Sequence, residues 1–130
     1  MPEVKCINPP GTEAIYQSYK FSQAVVANGR VEVAGQVGLG SDFSIPDDIA
    51  EQARNAFTNL KNVLEAAGSS LRHVLHITQY FTDIRDARNV DKVFVEFFPD
   101  NYPARTAVQV VSLVLPNLKL EIQATAVLKV

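Results

Sequence analysis

The stretch that decides the fold is two short apolar runs joined by an Asn-Gly dipeptide, Ser22-Gln23-Ala24-Val25-Val26-Ala27-Asn28-Gly29-Arg30-Val31-Glu32-Val33-Ala34-Gly35-Gln36-Val37. Asn28-Gly29 is the strongest short signal for a β-hairpin, because both residues tolerate the positive φ that a tight hairpin turn needs. The sequence therefore predicts antiparallel strands at Ser22–Val26 and Val31–Val37.

The segment that follows the hairpin predicts a long amphipathic helix over Ile49–Ala67. Asp47 or Asp48 can cap its first turn, and Gly68 is a natural stop. Its apolar residues recur at the three-and-four spacing of one helix face. They are Ala53, Ala56, Phe57, Leu60, Val63, Leu64 and Ala67.

The proline-containing start, Met1–Thr12, predicts irregular structure or a loose edge. After the long helix the chain alternates strand and helix patterns. Since only a short turn separates the last two predicted strands, we expect them to pair antiparallel. That pairing would bring the region after Arg105 near Glu121. The predicted elements are a strand at Val74–Thr82, a helix at Ala87–Phe98 capped by Asp86, and strands at Thr106–Val114 and Lys119–Lys129.

The element order β-β-α-β-α-β-β indicates a single domain of 130 residues in the α+β class. Two helices cannot cover both faces of such a sheet, so we expect both helices on one face. Residues on the other face, such as Gln123 and Thr125, are polar but uncharged. This face is expected to meet another subunit.

Composition and ionisable residues exclude several classes of function. The chain has 12 basic and 14 acidic residues, a net charge of −2, which gives no electrostatic reason to expect nucleic acid or membrane binding. A single cysteine, Cys6, cannot form an intrachain disulfide, and nothing in the sequence activates it. His73 and His76 lack the third ligand that zinc requires, so no metal site is predicted. Neither a signal peptide nor a membrane span is recognised, and a cytoplasmic location is expected.

One motif resembles the signature of the Rid family of reactive intermediate deaminases, also called the YjgF or L-PSP family. It is Asn101-Tyr102-Pro103-Ala104-Arg105-Thr106-Ala107-Val108, followed by Lys119-Leu120-Glu121-Ile122. Three further segments are similar to family motifs in the right order, and the resemblance runs from about Phe21 to Val130. They are Phe21–Val25, Val33–Gln36 and Gln52–Ala56, the last continuing to Asn59 and Leu60.

The resemblance implies a bacillus-type chorismate-mutase-like fold and a homotrimer in which the three sheets form a central barrel. It implies that clefts between subunits bind a small carboxylate-bearing enamine or imine and hydrolyse it to a keto acid and ammonia. It implies no metal or organic cofactor. A carboxylate-binding sensor on the same fold is the alternative, and a ribonuclease, which older family labels suggest, is disfavoured by the net charge.

The same resemblance assigns roles to Arg105, Glu121 and Gly35. The planar guanidinium of Arg105 matches a substrate carboxylate. Glu121 would hold the attacking water and move its proton, and backbone groups near Gly35 would contact the substrate. Without the motif, Arg105 would be interpreted as a surface ion pair and Glu121 as a cross-strand partner.

Four positions depart from the family pattern, and each replaces a polar group by an apolar one. Phe21 stands for a first-strand tyrosine, Phe94 for a helix tyrosine, Ala107 for a cysteine and Ala34 for a small hydroxyl residue. The resemblance places Phe21, Phe94 and Ala107 among the substrate-binding residues. We therefore expect a more apolar substrate, and the losses leave room for binding without turnover.

Overall fold

The structure is a computed structural model that describes residues 3–130. It contains one mixed six-stranded sheet and three α-helices, with 3-10 turns at Leu71–His73 and Ile84–Asp86. In chain order the elements are β1 (Lys5–Ile7), α1 (Glu13–Tyr19), β2 (Ala24–Ala27), β3 (Arg30–Val37), α2 (Ile49–Ala66), β4 (Val74–Phe81), α3 (Ala87–Phe97), β5 (Ala104–Gln109) and β6 (Leu120–Val127).

The predicted hairpin is confirmed. β2 and β3 pair antiparallel, and Ala27 lies opposite Arg30. The two residues between them have the positive φ that the turn needs, 53° at Asn28 and 76° at Gly29. The signal is strong because few residues adopt this conformation without strain.

The predicted pairing of the last two strands is wrong. The strand order is β1-β2-β3-β6-β4-β5, so β4 lies between β5 and β6. β5 pairs parallel with β4, because α3 carries the chain back across the sheet before β5 begins. β5 also ends at Gln109 rather than Val114, and a loop of irregular structure leads from there to β6.

The long helix begins and ends where the sequence predicts, within one residue. The Asp48 side chain accepts a hydrogen bond from the backbone N–H of Glu51 at 3.1 Å, and Gly68 follows the helix with a φ of 88°. The second helix also forms, but Asp86 makes no capping hydrogen bond. Asp83 instead caps the preceding turn through the N–H of Arg85.

Both long helices cover the same face of the sheet, as predicted. Alternate residues of β6 are buried on that face, namely Leu120, Ile122, Ala124 and Ala126. Phe57 of α2 and Phe94 of α3 pack edge to face above them, with ring centroids 5.7 Å apart. The residues between them on β6 face away from the helices.

The described chain begins with an edge strand, in agreement with the loose edge predicted up to Thr12, and α1 lies beyond that segment, where no helix was predicted. β1 pairs antiparallel with β2 at one edge of the sheet, and α1 follows it. α1 buries none of its residues, so its sequence carries no apolar periodicity that could have predicted it. Residues 1 and 2 lie outside the described residues. None of the helices described in residues 3–130 has the length and apolarity of a bilayer span.

Candidate active site

Arg105 projects from β5 on the face of the sheet that the helices cover. It lies opposite Ile77 of β4, which is completely buried. Its Nε and Nη2 donate hydrogen bonds of 3.0 and 2.8 Å to Oε1 of Gln79. Its Cζ lies 3.7 Å from the centre of the Phe94 ring, in cation–π contact. Gln79 of β4 and Phe94 of α3 therefore fix the plane of the guanidinium.

Asp91 of α3 completes the surroundings of Arg105. Its Oδ1 accepts a hydrogen bond from Nη2 at 2.8 Å, and the Asp91 side chain is 56% exposed. Among residues 3–130, no side chain or backbone group accepts a hydrogen bond from Nη1. The guanidinium is thus held along one edge, and part of its donor capacity remains available to an anion.

Glu121 lies on the opposite face of the sheet. On β6 it faces Val37 of β3 and Tyr80 of β4. The carboxylate is half-buried, and this desolvation raises the pKa of Glu121 above its usual 4.5. A carboxylate with a raised pKa exchanges protons closer to neutral pH, which suits general acid–base chemistry.

A β-bulge sets the position of Gly35 under the Glu121 carboxylate. The register between β3 and β6 shifts between Val33 and Gln36. A Cβ atom added at Gly35 would collide with Oε2 of Glu121 and lie 2.7 Å from its Cδ. Only glycine leaves space for the carboxylate here, so Gly35 and Glu121 form one structural unit.

A cavity of about 760 Å³ opens above this unit. Glu121, Gly35 and Phe21 line it together, as do Phe43 of the β3–α2 loop and residues of α1 and of the β5–β6 loop. This volume is in the range of cavities that bind small molecules. The structure thus brings together three of the residues that the sequence assigned to the site.

The two charged residues do not meet within one protomer. Arg105 shares its face with Gln79, whereas Glu121 shares the other face with Tyr80, the next residue along β4. Neighbouring residues of a strand point to opposite sides of the sheet. The sequence could not predict this, because it depends on the strand order.

The other predicted binding residues also lie apart from the cavity. Phe94 is buried to 1% exposure and supports Arg105 from below. Ala107 is exposed on β5, opposite Gln79. Sequence analysis missed Gln79 and Asp91. Gln79 alternates along β4 with Ile77 and Phe81, and all three are buried on the same face. A polar residue in such a buried series is a signal that could have indicated a role for Gln79.

Metal ligands are not clustered in the described part of the chain. No three histidine, cysteine or carboxylate side chains of residues 3–130 lie close enough to share an ion. Cys6 is an exposed free thiol on the edge strand β1.

Comparison with known proteins places this site in a family. The family model described as Endoribonuclease L-PSP matches residues 11–128. A 2-iminobutanoate/2-iminopropanoate deaminase from Bos taurus is 36% identical over 109 residues, which cover 82% of this chain and 79% of that protein. The structure is similar to yeast Mmf1, with a TM-score of 0.84, 30% identity, and coverage of 98% and 100% of the two chains.

A second solved relative is Escherichia coli TdcF with bound serine. It aligns with a TM-score of 0.78 and 34% identity over 84% of this chain and 88% of that one. The family model covers most of the chain, and relatives above 30% identity cover more than two thirds of it. The chain is therefore a member of the L-PSP family, which is also called the Rid or YjgF family.

Proposed function

We propose that this protein is a deaminase that hydrolyses 2-imino acids, and the enamines that tautomerise to them, to 2-keto acids and ammonia. Relatives bear the name 2-iminobutanoate/2-iminopropanoate deaminase. The observation that carries the proposal is the half-buried carboxylate of Glu121, with its raised pKa, seated on Gly35 in a cavity. The arrangement suits the activation of one water molecule.

Arg105 is proposed to bind the carboxylate of the substrate. Gln79 and Phe94 hold its guanidinium in a fixed plane, so little side-chain freedom is lost when a ligand binds. The two N–H groups of Nη1 can donate to the substrate carboxylate, and Nη2 can join them when the carboxylate displaces Asp91. The relative TdcF has been solved with bound serine, an amino acid that carries such a carboxylate.

Glu121 is proposed to act on the water. Its carboxylate accepts a proton as the water oxygen forms a bond to the C=N carbon. The same group returns that proton to the nitrogen, which gives a carbinolamine. It then transfers the hydroxyl proton to the nitrogen as the C=O bond forms, so that the C–N bond breaks and ammonia leaves. No electron acceptor, metal ion or organic cofactor takes part in this balance. Positioning alone would accelerate the reaction, because it replaces a bimolecular encounter by a fixed geometry.

The active site is proposed to lie between the subunits of a homotrimer of chorismate-mutase-like protomers. Arg105 and Glu121 lie on opposite faces of one sheet, so a single substrate reaches both only if they belong to different copies. All six residues of β5 are exposed in the protomer, and an uncovered edge strand of this kind favours association. A heterologous contact that closes into a ring repeats the same cleft at each interface.

Mixing two inactive variants tests the composite site. Arg105→Ala and Glu121→Gln are each expected to lose most imine hydrolysis. If the two are denatured and refolded together in equal amounts, about a quarter of the interfaces pair an intact Arg105 with an intact Glu121, and a similar share of native activity returns. The readout is the keto acid formed from an imino acid that an amino-acid oxidase generates in place.

The outcome separates the competing functions. Mixtures that stay inactive, while each variant alone still forms trimers, would contradict a site shared between copies. Carboxylate binding by the native protein without any acceleration of hydrolysis would favour a sensor. Cleavage of RNA that survives both substitutions would favour the ribonuclease in the family description, although a net charge of −2 does not favour RNA binding.

A further inference from the structure

Phe43 has a backbone conformation that phenylalanine rarely adopts. Its φ is 65°, in the left-handed region that favours glycine. Strained residues of this kind persist only where the surroundings fix them, and they concentrate at ligand-binding sites. The Phe43 side chain is nevertheless 48% exposed, so burial in the core does not explain its position.

The loop around Phe43 is braced by its own hydrogen bonds. The N–H of Phe43 donates to the carbonyl of Gly40, and the N–H of Gly40 donates to the carbonyl of Ser44, both at 2.9 Å. Oδ1 of Asp42 accepts from the Ser44 backbone and hydroxyl at 3.0 and 2.6 Å. These bonds hold the ring of Phe43 at the wall of the cavity that contains Glu121.

Three glutamine and asparagine side chains that line this cavity are used in internal hydrogen bonds, whereas Tyr19, Ser41 and Asn62 also line it and keep their polar groups available. Nε2 of Gln36 donates to Oε1 of Gln23 at 3.0 Å, and Nδ2 of Asn59 donates to the carbonyls of Val37 and Leu39, both at 3.0 Å. No lysine, arginine or histidine of the described residues lines the cavity. Among residues 3–130, Glu121 is the one carboxylate in its lining. The cavity therefore offers no cation to an acidic side chain of a substrate, and its polar groups are outnumbered by apolar ones.

The remaining wall is apolar and comes from separate parts of the chain. It includes Ile15 and Tyr19 of α1, Phe21, Phe43, and Val114 and Leu115 of the β5–β6 loop. A volume of about 760 Å³ exceeds what a substrate with a one- or two-carbon side chain fills. An apolar side chain gains free energy in proportion to the surface that it removes from water.

We propose that this cavity selects 2-imino acids with a large apolar side chain, of leucine or phenylalanine size, and that Phe43 is a specificity-determining residue that contacts that side chain. This inference rests on the proposed deaminase function. The reacting carbon would lie near Glu121 and Gly35, and the side chain would extend toward Phe43. The strained loop then serves to present an aromatic ring to the substrate.

The test compares imines generated by an amino-acid oxidase from leucine, phenylalanine and alanine. The native protein is expected to hydrolyse the leucine- and phenylalanine-derived imines with a kcat/KM about 10-fold or more above that for the alanine-derived imine, since hydrophobic pockets discriminate on this scale. Phe43→Gly removes the ring and suits the positive φ, so its thermal midpoint is not expected to fall. It should reduce the preference at least several-fold, through a lower kcat/KM for the leucine- and phenylalanine-derived imines.

Two further variants make the result specific. Val95→Ala is the matched control, because Val95 is also 48% exposed but lies on α3 outside the cavity; its preference should equal that of the native protein. Phe43→Leu keeps an apolar contact and should retain part of the preference. A native enzyme that prefers the alanine-derived imine, or a Phe43→Gly variant with unchanged preference, overturns the inference while the deaminase function stands. Failure with all three imines would instead contradict the proposed function itself.

Discussion

Oε1 of Gln79 accepts hydrogen bonds from two nitrogens of Arg105, Nε at 3.0 Å and Nη2 at 2.8 Å. Gln79 is buried on β4, between β6 and β5, whereas the Arg105 side chain is 29% exposed. An uncharged, rigid acceptor thus orients the guanidinium without neutralising it. Gln79 leaves the positive charge to the exposed Asp91 and to a carboxylate ligand that competes with it, which a buried glutamate at position 79 would not allow.

We expect Gln79→Met to raise KM for a 2-imino acid about 10-fold, because the guanidinium loses the acceptor that fixes its plane and substrate binding must then restrict it. kcat should change less, since Glu121 lies on the other face of the sheet. Steady-state kinetics separate the two constants, and an unchanged KM with a large loss of kcat would contradict this role.

Asp91→Asn is expected to change KM in the opposite direction from Gln79→Met. It keeps a hydrogen-bond acceptor near Nη2 but removes the negative charge that competes with the substrate carboxylate. KM should fall by roughly 2- to 5-fold, the scale of an exposed ion pair. A rise in KM would show that Asp91 supports Arg105 rather than competing for it.

Gly35→Ala should reduce activity with little loss of stability. The added Cβ would meet the flexible end of the Glu121 side chain, which can rotate away, and a displacement of about 1 Å can cost 100-fold in rate. Gly38→Ala is the contrasting variant, because its Cβ would lie 2.8 Å from the backbone Cα of Gln52. That overpacking should cost about 1–3 kcal/mol of unfolding free energy. Thermal midpoints and kcat together distinguish the two; equal losses of stability would contradict the assignment.

The raised pKa of Glu121 predicts the pH dependence of both activity and stability. Hydrolysis should fall as pH drops through the pKa of Glu121, above the usual 4.5, because the water then loses its base. The folded state binds this proton more tightly than the unfolded state, so the stability it contributes is present at low pH and is lost as pH rises through the folded pKa. Glu121→Gln should therefore have a higher thermal midpoint than the native protein at neutral pH. The difference should vanish below pH 4.5, and a variant less stable at neutral pH would contradict the argument.

The elements that the sequence predicted well are those with local signals. The Asn28-Gly29 turn and the apolar spacing of α2 depend on the chain within a few residues. β1 and α1 depend instead on pairing and packing with distant residues, and they bury too little to leave a pattern. Strand order is non-local in the same way, which explains why the predicted pairing of β5 with β6 failed.

In the candidate site, too, the residues with local signals were predictable, whereas their relative placement was not. Arg105 and Glu121 were recognisable by residue type within a motif, and Gly35 by its strand context. Their placement on opposite faces follows from β4 lying between β5 and β6, which no local pattern encodes. Phe43 was not predicted either, because its positive φ arises from loop hydrogen bonds rather than from a turn residue type.

Gln52 is a buried polar residue that takes no part in the proposed reaction. We expect its substitution to reduce stability. Its Nε2 donates to the carbonyls of Pro46 and Asn117, and its Oε1 accepts from the N–H of Lys119, each at 2.8 Å. These bonds tie the start of α2 to the loop that leads into β6, so they hold the strand that carries Glu121. Gln52→Leu preserves most of the volume but leaves three part-buried backbone groups without these partners.

We expect Gln52→Leu to lower the free energy of unfolding by about 1–3 kcal/mol, because three hydrogen bonds are lost and the part-buried backbone groups recover some of them from water. Asn55→Ala is the milder comparison, since Asn55 donates a single hydrogen bond, to the carbonyl of Gly38 at 3.2 Å. Urea unfolding measures both variants. A Gln52→Leu protein as stable as Asn55→Ala would mean that the loop before β6 rearranges, and the position of Glu121 would then depend on β-sheet pairing alone.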